Sequence, residues 1–240
     1  MAKTGCKAAL AVCLVLALFL AGSGGESVPQ RPGRVDFGDL APFPDFDRDP
    51  RYSPMMAQYE AILRGEGTFL DGAGEVDLQH INKSVSSDDH VTATAEEFAV
   101  VDMDGDGAVE VILRLTVNGN KGEAYVILHY YDGAVYGNTR FIRQLRKLRT
   151  DGLFYFSGGA ASHGWGTIEF NGGEAIDIRK VEQFGSPDDS FNSTMKYFIE
   201  GKEVTEEAYS AVKLGLAKEA KWYGLSFIQR HVHFPTVPGT

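Results

Sequence analysis

From Glu97 onward the chain is a succession of short apolar runs, each cut off by a turn: "EFAVVDM", "VEVILRLTV", "EAYVILHYYD", "AVYGNTRFI", "LFYFSG", "GTIEFN", "EAIDIRKVEQ" and "TMKYFIE". Asp132-Gly133, Asp151-Gly152 and Asn171-Gly172 lie between them, and Glu200-Gly201 ends the last. Asn-Gly and Asp-Gly pairs supply the positive φ angles of tight hairpins, so the pattern leaves little room for anything but antiparallel strands. A helix is expected on either side. In "SPMMAQYEAILRG", Ser53 can cap, Pro54 suits the first helical position, and Met55, Met56, Tyr59, Ile62 and Leu63 share one face. That spacing predicts a helix over about 54–64. "TEEAYSAVKLGLAKEA" predicts a second over about 206–220, with Thr205 as N-cap and Glu206 and Glu207 favoured by the helix dipole. The expected class is α+β: one antiparallel β-meander sheet with a helix at either sequence end, in a single domain over 53–233 and a tail over 234–240.

The N-terminus reads as a leader. Lys3 and Lys7 flank "AALAVCLVLALFLAG", a run too short for a membrane span of roughly 20 residues but right for a secretory signal. Small residues at Ala21 and Ser23 predict cleavage after Ser23, making 1–23 a signal peptide; a retained leader would act as a membrane anchor instead. Residues 24–52 hold five prolines and little periodicity, the composition of a flexible linker. Both cysteines, Cys6 and Cys13, fall in the leader, so the mature chain has no disulfide, thiolate nucleophile or cysteine-based zinc site. An exported chain of this kind suits a bacterial envelope or the cell exterior. Its formal net charge of −10 argues against nucleic acid as a partner, because phosphates would be repelled.

The stretch "FAVVDMDGDGAVEVIL" sets four carboxylates and two glycines between two apolar runs. With Asp102 as position 1, Asp104 is 3, Asp106 is 5, Gly107 is 6, Ala108 is 7 and Glu110 is 9. A hard divalent cation takes oxygens from alternating residues of a tight loop, with a backbone carbonyl at position 7 and a further group at 9. The candidate metal ligands are therefore Asp102, Asp104, Asp106, the Ala108 carbonyl and Glu110. Calcium is favoured over magnesium because the ligand set is large and flexible. Bound calcium would turn carboxylate repulsion into attraction. Position 12 is Leu113 rather than a bidentate Glu, and both flanks read as strands, so this EF-hand-like loop is not an EF-hand. Fewer protein oxygens imply a weak site, about 10⁻⁴–10⁻³ M as in extracellular modules.

The same residues resemble the strand–loop–strand calcium loop of FG-GAP repeats, and that resemblance implies the same ligands. FG-GAP propellers repeat the motif, whereas this chain has one copy. Several stretches together look like a group of exported proteins of gut-dwelling Gram-positive bacteria: "YEAILRGE", "FAVVDMDGDGAVEVIL", "YVILHYYDGAVYG", "LRTDGLFYFSGGAASHGWGTIEF", "YFIEGKEVTEEAY" and "KWY". This likeness implies export and a single-loop, non-propeller protein, and it implies no reaction.

Other segments offer rival chemistry. "FAVVDMDGDG" also matches the first motif of haloacid-dehalogenase-type phosphohydrolases, with Asp102 as nucleophile, Asp104 as acid and Mg²⁺ between them. Those enzymes need alternating strands and helices and a later acidic pair, for which only Asp188 and Asp189 are available. "SGGAASHGWG" sets Ser162 beside His163, but it lacks the Gly-x-Ser-x-Gly elbow. A flexible hairpin loop with His163 and Trp165 as a possible ligand surface is the stronger reading. His231 and His233 alternate on an extended segment, as two zinc ligands could, with no evident third. "RFIRQLRKLR", Arg140 to Arg149, is a basic run on an acidic protein; it suits an ion-paired face, or contact with anionic glycans or a partner. The expectation is an exported calcium-binding protein acting as a binding or interaction module toward a protein or glycan at the envelope or outside the cell. The alternative is a secreted hydrolase that uses Asp102 and Asp104 or the 157–166 loop. Membrane contact follows only from an uncleaved leader.

Overall fold

A computed structural model describes residues 53–159, 161–187 and 193–226. Helix α1 (Ser53–Arg64) places Met55, Met56, Tyr59, Ile62 and Leu63 on one buried face. It stops at Gly65, whose φ of 77° turns the chain while its N–H donates to the Ile62 carbonyl at 2.8 Å. Beneath it lies a seven-stranded sheet built around β3 (Ala93–Val101), β4 (Glu110–Val117), β5 (Asn120–Tyr131) and β6 (Ala134–Phe141), each antiparallel to the next. The short β1 (Phe69–Asp71) joins β6 in parallel and carries β2 (Gly74–Val76), while β12 (Tyr223–Gly224) closes the other edge against β3. A short helix α2 (Asn82–Val85) precedes β3.

A second, five-stranded sheet is a separate meander of β7 (Phe154–Gly159), β8 (Ser162–Asn171), β9 (Glu174–Pro187), β10 (Ser193–Ile199) and β11 (Lys202–Val204). The turn chemistry accounts for the hairpins. Asp132-Gly133 joins β5 to β6 with φ of 48° and 84°, and Asn118-Gly119 does the same between β4 and β5 with 49° and 81°. Asp151-Gly152, by contrast, makes a turn leading into β7 rather than a hairpin between two strands.

The core has two compartments, one on each face of the first sheet. Phe98, Val100, Val111, Leu113, Leu115, Val126 and Leu128 pack against α1. The alternating Ala99, Val101, Ile112, Tyr125 and Ile127 pack against Leu145, Leu148, Phe154 and Ile168 from the 142–153 segment and the second sheet. Strands covered on both faces have no solvent side. "FAVV" and "VIL" are therefore unbroken apolar runs rather than alternations. Each fully buried Phe, Leu or Ile contributes about 1.5–3 kcal/mol from apolar burial, and such residues come from β3, β4 and β5 as well as from α1, β1 and β7.

This corrects the expected α+β class. The described residues form two sheets, not one, with strand in large excess over helix, and the layers run helix, sheet, sheet. The helix expected over 206–220 is the short α3 (Glu206–Ser210), capped as expected by the Thr205 hydroxyl accepting from the Ala208 N–H. Beyond it the chain gives up helical bonds for better partners. The buried Arg149 guanidinium donates to the Leu214 carbonyl at 3.0 Å, Thr150 N–H to Lys218, and Ala220 N–H to Leu148. A continued helix would have tied those carbonyls up in its own ladder and left a buried cation short of an acceptor. Among the described residues no helix is long and apolar enough to cross a membrane. The expected signal peptide, linker and tail, and the His231–His233 and Asp188–Asp189 pairs, lie outside the described residues.

Candidate metal centre

The loop 102–109 joins β3 to β4, strand to strand. Its three aspartates converge: one oxygen each from Asp102, Asp104 and Asp106 lies within 4.8 Å of the other two, a group that could hold a metal ion. The loop's own backbone holds them in place. The Asp102 carboxylate accepts from the N–H groups of Gly105 at 2.6 Å and Gly107 at 3.1 Å. Asp104 accepts from Asp106 N–H at 3.0 Å, and Asp106 from Ala108 N–H at 2.7 Å. Gly105 and Gly107 adopt φ of 83° and 93°, a conformation a side chain would resist. Ala108 is half-buried and packs toward the α1 side of the core.

Glu110 is placed differently. It is 1% exposed, and its carboxylate accepts from the Met103 N–H at 2.8 Å and meets His129 Nδ1 at 3.1 Å. It thus sits under the loop, outside the converging trio. Burial raises the Glu110 pKa well above the ordinary carboxylate range, and the charges of Asp104, Asp102 and Asp106 raise it further. Partial burial likewise pushes Asp104 up to about 6, with Asp106 and Asp102 adding to the shift. The His129 pKa is lowered, chiefly by burial. Burial makes the His129 imidazole harder to protonate, so it offsets the neighbouring carboxylates less than an exposed histidine would. Carboxylates that resist ionisation in one loop are what a divalent cation would relieve.

The floor is built from further along the chain. His129 lies across from Glu110, one step beyond the Val111–Leu128 pair, and stacks on Phe170 of β8 at 3.7 Å between ring centroids. The Asp151-Gly152 turn abuts the loop backbone: a Cβ on Gly152 would lie 2.6 Å from the Met103 carbonyl oxygen and 2.7 Å from that of Asp102. From the sequence, Gly152 was singled out only as half of a turn pair, and His129 not at all. The signal for His129 was present, a polar residue inside "YVILHYY" that must meet the one inside "VEVIL". Gly152 had no such signal, because its neighbour is some fifty positions away in the chain.

His163 and Trp165 lie on the second sheet, both half-buried against Tyr155. The Tyr155 ring is 5.8 Å from His163 and 5.7 Å from Trp165, and the Arg149 guanidinium stands 5.7 Å over Trp165. Ser162 and His163 sit on β8, where His163 pairs with Ser157 and Gln183. The basic run is no continuous face. Arg140 pairs with Asp177 at 2.9 Å and Arg149 with Asp151 at 2.7 Å, while Leu145 and Leu148 are buried. Set against family models, curated proteins and solved structures, the chain matches none of them.

Proposed function

We propose that the protein is an exported calcium-binding protein, a binding or interaction module whose single calcium loop braces the junction of its two sheets. The observation that carries this reading is the convergence of Asp102, Asp104 and Asp106 within 4.8 Å, each fixed by backbone N–H donors of the same loop. Alternating carboxylates and flexible oxygen geometry favour Ca²⁺ over Mg²⁺, which demands a tighter octahedron and gives up its water reluctantly. Asp102, Asp104 and Asp106 supply the side-chain oxygens and Ala108 a carbonyl. Glu110, held by Met103 and His129, shapes the floor beneath the three aspartates. The role is structural, since the loop ties β3 to β4 while His129 and Phe170 carry the brace to the second sheet. Export and the envelope or extracellular location rest on the leader, a protein or glycan partner would be met at that location, and the acidic composition argues against nucleic acid. The test is melting of the purified chain with and without Ca²⁺, beside an Asp104→Asn/Asp106→Asn variant. A calcium-dependent rise absent from the variant supports the reading, and equal responses refute it.

A further inference from the structure

Away from the acidic loop, a pocket of about 520 Å³ opens between β4, β5, the 142–148 segment and the segment 219–222. That volume is in the range of small-ligand sites. Its walls carry Arg114, Lys121, Arg146 and Lys147, against Glu219 as the one acidic lining residue. Glu97 pairs with both Arg114 and Lys121, so those two cations are partly spent. Arg146 and Lys147 are exposed, and no acidic side chain pairs with either among the described residues. On a chain of net charge −10 this is a local reversal of sign.

The pocket's body is aromatic. Tyr125 and Trp222 meet at 5.9 Å with rings tilted by 46°, and the Arg114 guanidinium lies 4.5 Å over the indole. The backbone that carries the cations is held in place, and the Lys147 ammonium rests 5.7 Å over the Tyr155 ring beside the pocket. Arg146 exchanges two backbone hydrogen bonds with Tyr155, at 2.8 and 2.7 Å, and Ala220 N–H donates to Leu148 at 2.8 Å. Lys147 adopts a φ of 45°, a conformation costly for a residue with a long side chain and kept only where its surroundings impose it. A backbone fixed beforehand leaves only side chains to be ordered when a ligand binds.

We propose that this pocket binds an anionic saccharide, its carboxylate or sulfate held by Arg146 and Lys147 and its ring laid against Trp222 and Tyr125. Cationic donors match the acid group, while an aromatic wall beside polar groups matches a sugar ring, apolar on its faces and hydroxylated at its edge. The pocket contains no residue of the acidic loop, so its occupancy and calcium binding stand or fall separately.

The experiment is titration of the full chain with glucuronate and with glucose 6-sulfate, followed by tryptophan fluorescence, against glucose and inorganic sulfate. One or both ring acids are expected to saturate at millimolar concentration, about tenfold tighter than either control, and to weaken as salt is raised. Which of the two binds tighter tells carboxylate from sulfate. Arg146→Ala combined with Lys147→Asn, two exposed positions where asparagine tolerates the positive φ, should weaken binding about tenfold without changing the melting temperature. The signal should survive Trp165→Phe and vanish in Trp222→Phe. Absence of saturation by both ring acids, unchanged binding in the double variant, or inorganic sulfate matching the ring acids would each overturn the proposal.

Discussion

The acidic loop and the basic pocket handle concentrated charge in opposite ways. The loop takes its three converging carboxylates from five consecutive residues, Asp102 to Asp106, and orients them with N–H groups of the same segment. The pocket gathers its cations and rings from residues as distant as Arg114 and Trp222, and its shape exists only once the first sheet, the 142–148 segment and the C-terminal segment have come together. A local device can form early and needs an ion to relieve its repulsion. An assembled device answers to packing, and its charges are eased by Glu97, by aromatic faces and by solvent. The two meet at the Arg149–Asp151–Gly152 turn, where Arg149 anchors the segment at Leu214 that leads to the pocket's Glu219 and Trp222, and Gly152 touches the loop.

Four changes would break or sharpen this contrast. The largest effect is expected at Gly152. An alanine there is strained by the φ of 78° and collides with two loop carbonyls, so Gly152→Ala should cost about 3 kcal/mol in urea unfolding. It should also weaken calcium binding, and unchanged affinity would show that the loop is shaped by its own hydrogen bonds alone. Next, Glu110→Ala leaves the Met103 N–H unpaired in a buried site and should cost about 2–3 kcal/mol. Glu110→Gln keeps an acceptor without the misplaced charge, and it should cost the ion-free protein far less. Arg149→Lys comes third. Loss of the two-pronged contact to Asp151 and of the donor to Leu214 should cost about 1–2 kcal/mol. Hydrogen exchange should then quicken at the Thr150 and Ala220 amides while those of Gly105 and Gly107 stay as they were.

The smallest effect is a pH dependence. The folded state raises the Asp104 pKa to about 6, so ion-free folded protein holds that proton more tightly than unfolded chain does. Its contribution is complete at pH values below the unfolded carboxylate range, near 4, and is lost as pH rises through about 6. Wild-type protein should therefore lose ground to Asp104→Asn across that window when melted without metal. Saturating calcium, which favours the ionised carboxylate, should reverse the ranking. A difference that stays flat with pH in chelator would mean that the loop carboxylates are not crowded in the folded state.

What could be read from the chain follows the same division between local and assembled. Hairpin turns such as Asp132-Gly133 and the apolar face of α1 are local patterns, and they are found where their residues predict. The aspartate spacing likewise announced the loop, since residues two apart in a tight turn face one centre. Glu110 did not follow from spacing: its fate was settled by His129 on the neighbouring strand. The second sheet was hidden for a similar reason. A meander of strands looks the same whether it forms one sheet or two, and only the unbroken runs at 98–101 and 111–113 betray a sheet covered on both faces. The 211–220 segment carried helix-forming residues, yet its carbonyls are claimed by Arg149 and Thr150, which no periodicity can reveal.

The decisive measurement is calorimetric titration of chelator-treated protein with Ca²⁺ and then Mg²⁺, with the melting temperature followed alongside. The account predicts one calcium per chain with a Kd of about 10⁻⁴–10⁻³ M, weaker magnesium binding, and a stabilisation approaching about 2.7 kcal/mol when calcium reaches a hundred times its Kd. Protein that takes up neither ion at millimolar concentration, and melts at one temperature with or without them, would contradict it.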